Sequence, residues 1–251
     1  MNKYFLLFIT LTFIFLKTTK SQVSINIGGQ FDDPQYLVED VLLGAGLTAS
    51  NFSFMGDSIQ IGTFDGSSSN LGISSGVIIG TGDVRAVNSN SSLPVPVIVV
   101  PQVQDPDLLS LANSVPGLIG QSFSVGSIND VAVLEFDFVA SSDTLSFDYV
   151  FGSTEYFAFE NTGFNDVFGF FISGPGITGP YFSPPGFPNG SINIGVVPQS
   201  SPELPITISS VNSSLNSNFF VDNQMLTSVS SADGFTVPLE ARALVQCGES
   251  Y

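Results

Sequence analysis

Oxygen atoms, and not imidazoles, are what this chain offers to a substrate or a metal ion. It contains no histidine and no tryptophan. A Ser-His-Asp or Cys-His nucleophile is therefore excluded within the chain, as is any histidine-bearing zinc site. Cys247 is the single cysteine; it has no imidazole to draw off its proton and no second thiol for an internal disulfide. Carboxylates remain. Glu155, Glu160 and Asp166 fall in one acidic and aromatic stretch, Thr154-Glu155-Tyr156-Phe157-Ala158-Phe159-Glu160-Asn161-Thr162-Gly163-Phe164-Asn165-Asp166. Two such groups at a suitable separation hydrolyse a glycosidic bond. The same oxygens, joined by amide and backbone carbonyls, bind calcium, which makes Glu155, Glu160 and Asp166 the candidate cation ligands. Asp65-Gly66-Ser67-Ser68-Ser69-Asn70 is a second oxygen-rich loop. Neither stretch has EF-hand spacing or a calcium-binding repeat, and acids that line solvated turns are the plainer reading of both.

The chain around these residues is acidic and built for export. Met1-Asn2-Lys3 precedes an uncharged, Phe/Leu/Ile-rich run from Tyr4 to Leu16, and polarity returns at Lys17. This is the order of a secretory signal peptide over residues 1–21, with cleavage before Gln22. The run is shorter than the ~20 residues a spanning helix needs, and no later segment reads as a membrane span. Removal of the leader takes three of the five basic residues and leaves Arg85 and Arg242 against 22 acids, a net charge of −20. Such a surface repels nucleic acid and anionic lipid, stays soluble, and attracts cations or basic partners. Residues 22–251 suffice for a single large domain with a substantial core.

Asp33-Pro34 opens a short amphipathic helix ending at Gly44, and Asp105-Pro106 opens a second one, over Asp105–Ala112, short enough to be one turn. The rest reads as short strands between Gly, Asn, Ser and Pro: Ile59–Phe64, Gly76–Gly80, Val95–Val100, Ile192–Val197, Ile206–Val211 and Phe235–Val245. Val131–Val139 and Thr144–Phe151 alternate apolar and polar residues on either side of Ala140-Ser141-Ser142-Asp143, which predicts a β-hairpin. Val167–Ile172 is apolar on both faces, as in a strand between two layers. Gly174–Pro188, rich in proline, reads as a loop. Asn51, Asn90, Asn189 and Asn212 head Asn-x-Ser triplets, read here as loop markers. The expected architecture is mainly β, a β-sandwich or jelly-roll-like domain with one or two short helices.

Several strings together resemble the choice-of-anchor L domain of secreted and cell-surface proteins, known mainly from Bacteroidota. They are Leu37–Gly46, Ile61–Gly82, Leu134–Phe151, Gly152–Tyr156, Phe164–Gly176 (FNDVFGFFISGPG) and Asp233–Leu239. The resemblance implies export, display at the surface, a modular setting and, in many members, type IX secretion; it carries no catalytic residues and no ligand. Members commonly read Ser-Glu-Glu-Tyr where this chain has Ser153-Thr154-Glu155-Tyr156, and often carry a cysteine before the Phe-Asn-Asp string, absent here, that would partner Cys247. The family pattern also runs past Tyr251, so the resemblance implies a fragment with an open sheet edge.

The expected function is thus a noncatalytic extracellular module that adheres or binds a surface glycan or protein ligand, with Ca²⁺ the one cofactor the residues admit. A secreted carbohydrate-active hydrolase using paired carboxylates is the rival reading, and a structural spacer in a larger adhesin is the third.

Overall fold

Asp33 begins the first helix by accepting the backbone N–H of Gln35 at 3.1 Å, with Pro34 in the first helical position, where its missing donor costs nothing. The computed structural model describes residues 23–43, 47–88, 104–224 and 232–251. The expected leader (1–21), the strand at 95–100 and the Asn90 triplet lie outside them. α1 (Pro34–Tyr36) continues as a π-helical turn, Leu37–Leu42, that buries Leu37 and Val38. α2 (Pro106–Leu118) is capped by the Asp105 carboxylate, which accepts from the N–H groups of Asp107 and Leu108. It is longer than the expected Asp105–Ala112, because Leu111, Ala112, Val115 and Pro116 extend one buried stripe along it.

The strands of the N-terminal half are β1 (Ser24–Asn26), β2 (Thr48–Met55), β3 (Ile61–Asp65) and β4 (Ser75–Ile79). β5 (Val133–Val139) and β6 (Thr144–Tyr149) follow α2, then the short β7 (Gly152–Ser153), β8 (Val167–Phe168), β9 (Phe171–Ile172), β10 (Ile192–Asn193) and β11 (Ile206–Thr207). β12 (Phe220–Asp222), β13 (Gly234–Thr236) and β14 (Leu239–Leu244) complete the described set. All pairings are antiparallel: β1-β3-β4, β2-β5, β6-β14, β8-β11, β9-β10 and β12-β13-β7. The fold is mainly β with short helices, as expected.

The expected hairpin does not form. β5 and β6 lie where the alternation puts them, but β5 pairs with β2 and β6 with β14. Alternation fixes which face of a strand is buried and says nothing about its neighbour. The far edge of β5 is taken by the end of the chain: Phe138 and Tyr251 exchange both backbone hydrogen bonds at 2.9 Å, and Ala140 donates to Glu249. Tyr251 is buried, and its hydroxyl accepts from the Gln246 N–H and donates to the Pro175 carbonyl. Nor is Val167–Ile172 one strand. It divides at Gly169-Phe170 into β8 and β9, which serve different partners. Pro238 likewise divides Phe235–Val245 into β13 and β14, since it cannot donate to a ladder.

β2 went unforeseen because Asn51-Phe52-Ser53 looks like a turn. Asn51 instead sits at a bulge inside the strand, with φ of +56° and the register shifted between Ser50 and Ser53. Its amide donates to the Asp137 carboxylate of β5 at 2.6 Å.

Two faces meet over the main core. Leu145 of β6 and Ala241 and Ala243 of β14 pack on Ile172, Ile177 and Ile194, with Phe138 and Tyr251 closing one end. A second cluster, Val115, Val197, Leu204, Ile206, Val211 and Leu239, ties α2 to β11 and β14.

Candidate functional site

The acidic stretch follows directly on β7, so its first residue is fixed by a sheet. Ser153 is buried; its hydroxyl donates to the Asp166 carboxylate at 2.6 Å and accepts the Glu155 N–H at 2.8 Å. One hydroxyl thus clasps the two ends of the loop together. Inside it, the Glu160 carboxylate accepts the Phe157 N–H at 3.0 Å and the Glu155 carbonyl accepts from Phe159. Phe157 and Asn161 are left-handed, with φ of +66° and +59°. Asparagine tolerates that region, whereas phenylalanine pays about 1–2 kcal/mol for it. Strain of this kind persists only where surrounding contacts over-determine the backbone. Here they do: Asn161 donates to the Ser209 hydroxyl at 2.9 Å, Ser209 donates to the Asn165 side-chain oxygen, and Ile208 donates to the Asp166 carbonyl.

The electrostatics single out two of the three carboxylates. Burial, and then the charge of Asp166, pushes Glu155 up to about 6. Burial also raises Asp166, although the Ser153 hydrogen bond works against it. The Tyr156 phenol is raised by burial and by the charges of Glu160 and Asp166, which places its hydroxyl in their field. Tyr156 is 1% exposed and Asn165 5%. Yet the Tyr156 hydroxyl and the Asn165 amide nitrogen have no hydrogen-bond partner. Among the described residues the only other buried side-chain atoms in that condition are Asp130 Oδ1 and Tyr149 OH. Leaving such a group unmatched costs about 1–3 kcal/mol, so two within one loop mark it out.

Two exposed rings stand on the same loop. Phe159 and Phe164 meet edge to face, centroids 5.6 Å apart at 72°, and Phe164 is 68% exposed. An apolar aromatic surface beside carboxylates suits a ligand with both a flat hydrophobic face and hydroxyl or cationic groups.

Of the expected cation ligands, Glu155 and Asp166 share one field, while Glu160 is occupied in holding its own turn. Among the described residues, no group of three or more Asp, Glu, Cys or His side chains is placed to hold a metal ion. The loop at Asp65 is internally satisfied: the Ser67 hydroxyl and N–H bond the Asp65 carboxylate and hold its pKa below the ordinary value, and Ser69 bonds the Gly66 carbonyl. Asn212 does lie in the turns after β11, as its reading as a loop marker implied, but it is 2% exposed with its amide fully engaged, so it is also a buried structural residue. Sequence reasoning missed Ser153, Tyr156 and Asn165. The available signal was polar Asn165-Asp166 set inside an aromatic run.

No described helix is long and apolar enough to cross a membrane. A family model described as Choice-of-anchor L domain matches residues 25–251. No curated protein and no solved structure matches the chain.

Proposed function

The chain belongs to the choice-of-anchor L domain family, and on that premise we propose that it is a surface module that captures a ligand at the Glu155–Asp166 loop. Family membership makes it a non-enzymatic, surface-associated module, which sets aside the hydrolase reading of the paired carboxylates. The observation that carries ligand capture is the orphaned Tyr156 hydroxyl and Asn165 amide beside two carboxylates of raised pKa. Two donors without acceptors, two carboxylates crowding one another and two exposed rings complement a hydroxylated ligand such as a glycan, or a polar protein segment.

Calcium enters this reading as a bridging ion. Glu155 and Asp166 supply two carboxylates, and the ligand supplies the further oxygens that a six- to eight-coordinate ion requires. Export by the leader at residues 1–21 belongs to the same proposal, and N-terminal sequencing of protein recovered from the medium checks it.

The test is a glycan and matrix-protein array probed with the chain in calcium and in EDTA. A retained ligand whose signal falls at least tenfold in Phe164→Ser and Asn165→Ala variants supports capture at this loop. A folded domain that retains nothing overturns it in favour of a spacer. Binding and thermal unfolding both indifferent to millimolar calcium remove the cation alone.

A further inference from the structure

Asn189 is followed by Gly190, and no other asparagine in the chain precedes a glycine. Of the described asparagines that head Asn-x-Ser triplets, Asn51 is tied to Asp137 and Asn212 is buried in its own network. Asn189 instead stands exposed in the turn that leads into Ser191. Asparagine is among the chemically labile side chains. Its Cγ is open to attack by the main-chain nitrogen of the next residue, because the two close a five-membered ring. A side chain on that next residue obstructs the approach, and glycine has none.

The fold leaves both reacting groups unengaged and fixes the residue that lets them meet. Among the described residues neither the Asn189 side chain nor the Gly190 N–H has a hydrogen-bond partner. Gly190 has φ of +77°, and a Cβ there would overlap the carbonyl oxygens of Gly179 and Tyr181, so the shape of the turn itself demands glycine. The two Asp-Gly pairs of the chain are placed differently: the Gly66 N–H donates to the Ser74 carbonyl, and Gly234 is buried in β13 between β12 and β7. On either side of the Asn189 turn the chain is docked. The Gly179 N–H donates to the Asn189 carbonyl at 3.1 Å, Tyr181 and Ser191 exchange both backbone hydrogen bonds, and the Ser191 hydroxyl donates to the Phe182 carbonyl at 2.6 Å. The Phe182 N–H in turn donates to the Asp107 carboxylate of α2 at 2.8 Å. The register at residue 189 therefore helps to hold the proline-rich stretch against α2.

We infer that Asn189 is a self-modification site, where the folded chain converts its own asparagine to aspartate and isoaspartate and thereby loosens the proline-rich stretch. The Gly190 nitrogen, giving up its proton to hydroxide, bonds to Asn189 Cγ; the Cγ–Nδ2 bond breaks and the amide leaves as ammonia. Water then opens the resulting succinimide at one carbonyl or the other, giving aspartate or isoaspartate. The net exchange is an amide and water for a carboxylate and ammonium, so the chain gains one negative charge. In isoaspartate the main chain runs through Cβ and Cγ and is one atom longer. The carbonyl that accepted the Gly179 N–H becomes a free carboxylate, and Ser191 is displaced from Tyr181. Loss of ammonia makes the step one-way. The site is independent of the Glu155–Asp166 loop.

The test holds the full chain folded at mildly alkaline pH and samples it by peptic digestion, mass spectrometry and isoaspartyl methyltransferase labelling. Asn189 should be converted ahead of every other asparagine, faster as hydroxide rises, with one negative charge gained per chain. Amide hydrogen exchange should show the Tyr181 and Ser191 N–H groups losing protection in the aged protein. Asn189→Gln, whose cyclisation needs a six-membered ring, should keep both its charge and its protection over the same period. Conversion only in urea, an intact Asn189 while other asparagines change, or isoaspartate at 189 with full protection at Tyr181 and Ser191 each overturns the proposal. Should Asn189→Gln fail to fold, the time course of the native chain decides.

Discussion

Two polar regions are buried side by side in this domain and are finished to different standards. In β11 and the turns after it, Thr207, Ser209, Ser210 and Asn212 are no more than 2% exposed, and their polar groups are matched. The Ser210 hydroxyl donates to the Pro205 carbonyl at 2.6 Å and accepts the Thr207 N–H at 2.8 Å. Asn212 donates to the carbonyls of Ile208 and Ser209 and accepts from the N–H groups of Ser214 and Leu215. The loop at 153–166 touches this region through Ser209, yet leaves Tyr156 and Asn165 unmatched and crowds two carboxylates. A satisfied network stiffens a fold; an unsatisfied one of equal burial is a cost retained for another purpose. Polarity and burial are shared by both regions, so completion is what separates the scaffold from the candidate site.

The sharpest way to break this contrast is Asn212→Ala. It strands two carbonyls and two N–H groups in the interior, and urea denaturation should show a loss of about 3 kcal/mol. A loss below about 1 kcal/mol would erase the distinction from the scaffold side. Tyr156→Phe attacks it from the other side. Deleting a hydroxyl that has no partner should leave the protein about 1 kcal/mol more stable, and an equal loss would mean that the hydroxyl is matched after all.

Acidity sharpens the comparison further. Glu155 has its pKa raised by burial and by Asp166 to about 6, above its ordinary 4.5, so the folded state holds that proton more tightly than the unfolded one. Its contribution is favourable below pH 4.5 and is lost as pH rises through about 6. Glu155→Gln should therefore stabilise the protein at pH 7, by about 0.5 kcal/mol after allowance for solvent screening at this half-buried site, and change little at pH 4. Thermal melts at both values check it. Glu160→Gln should have the smallest effect, within about 0.5 kcal/mol in urea denaturation at pH 7, because an amide oxygen still accepts the Phe157 N–H.

Much of the scaffold could be read from the chain. Asp-Pro pairs placed both helix starts, since a capping carboxylate and a fixed φ act locally. Alternation placed β5 and β6 for the same reason. Their partners were illegible, because β2 and β14 are chosen by packing across the whole chain, and β2 hides its period behind the bulge at Asn51. At the candidate site, residue types drew attention to Glu155, Glu160 and Asp166. Only the folded loop separates Glu160, spent on its own turn, from the pair that shares a field. Tyr156 and Asn165 were invisible for a simple reason: a missing hydrogen bond is a fact about neighbours.

The pairing of β6 with β14 also sets a timetable. Ser146 bonds Glu240, a residue 94 positions later, and at a synthesis rate of about 5–20 residues per second that partner follows roughly 5–20 seconds behind. Leu145 and Phe147 spend that interval on a strand without a sheet. Contacts this distant in sequence place refolding in the slow, millisecond-to-second range of β-rich domains. β14, which closes the main core, is made after every other described strand, so a nascent chain depends on being kept from its neighbours until β14 arrives.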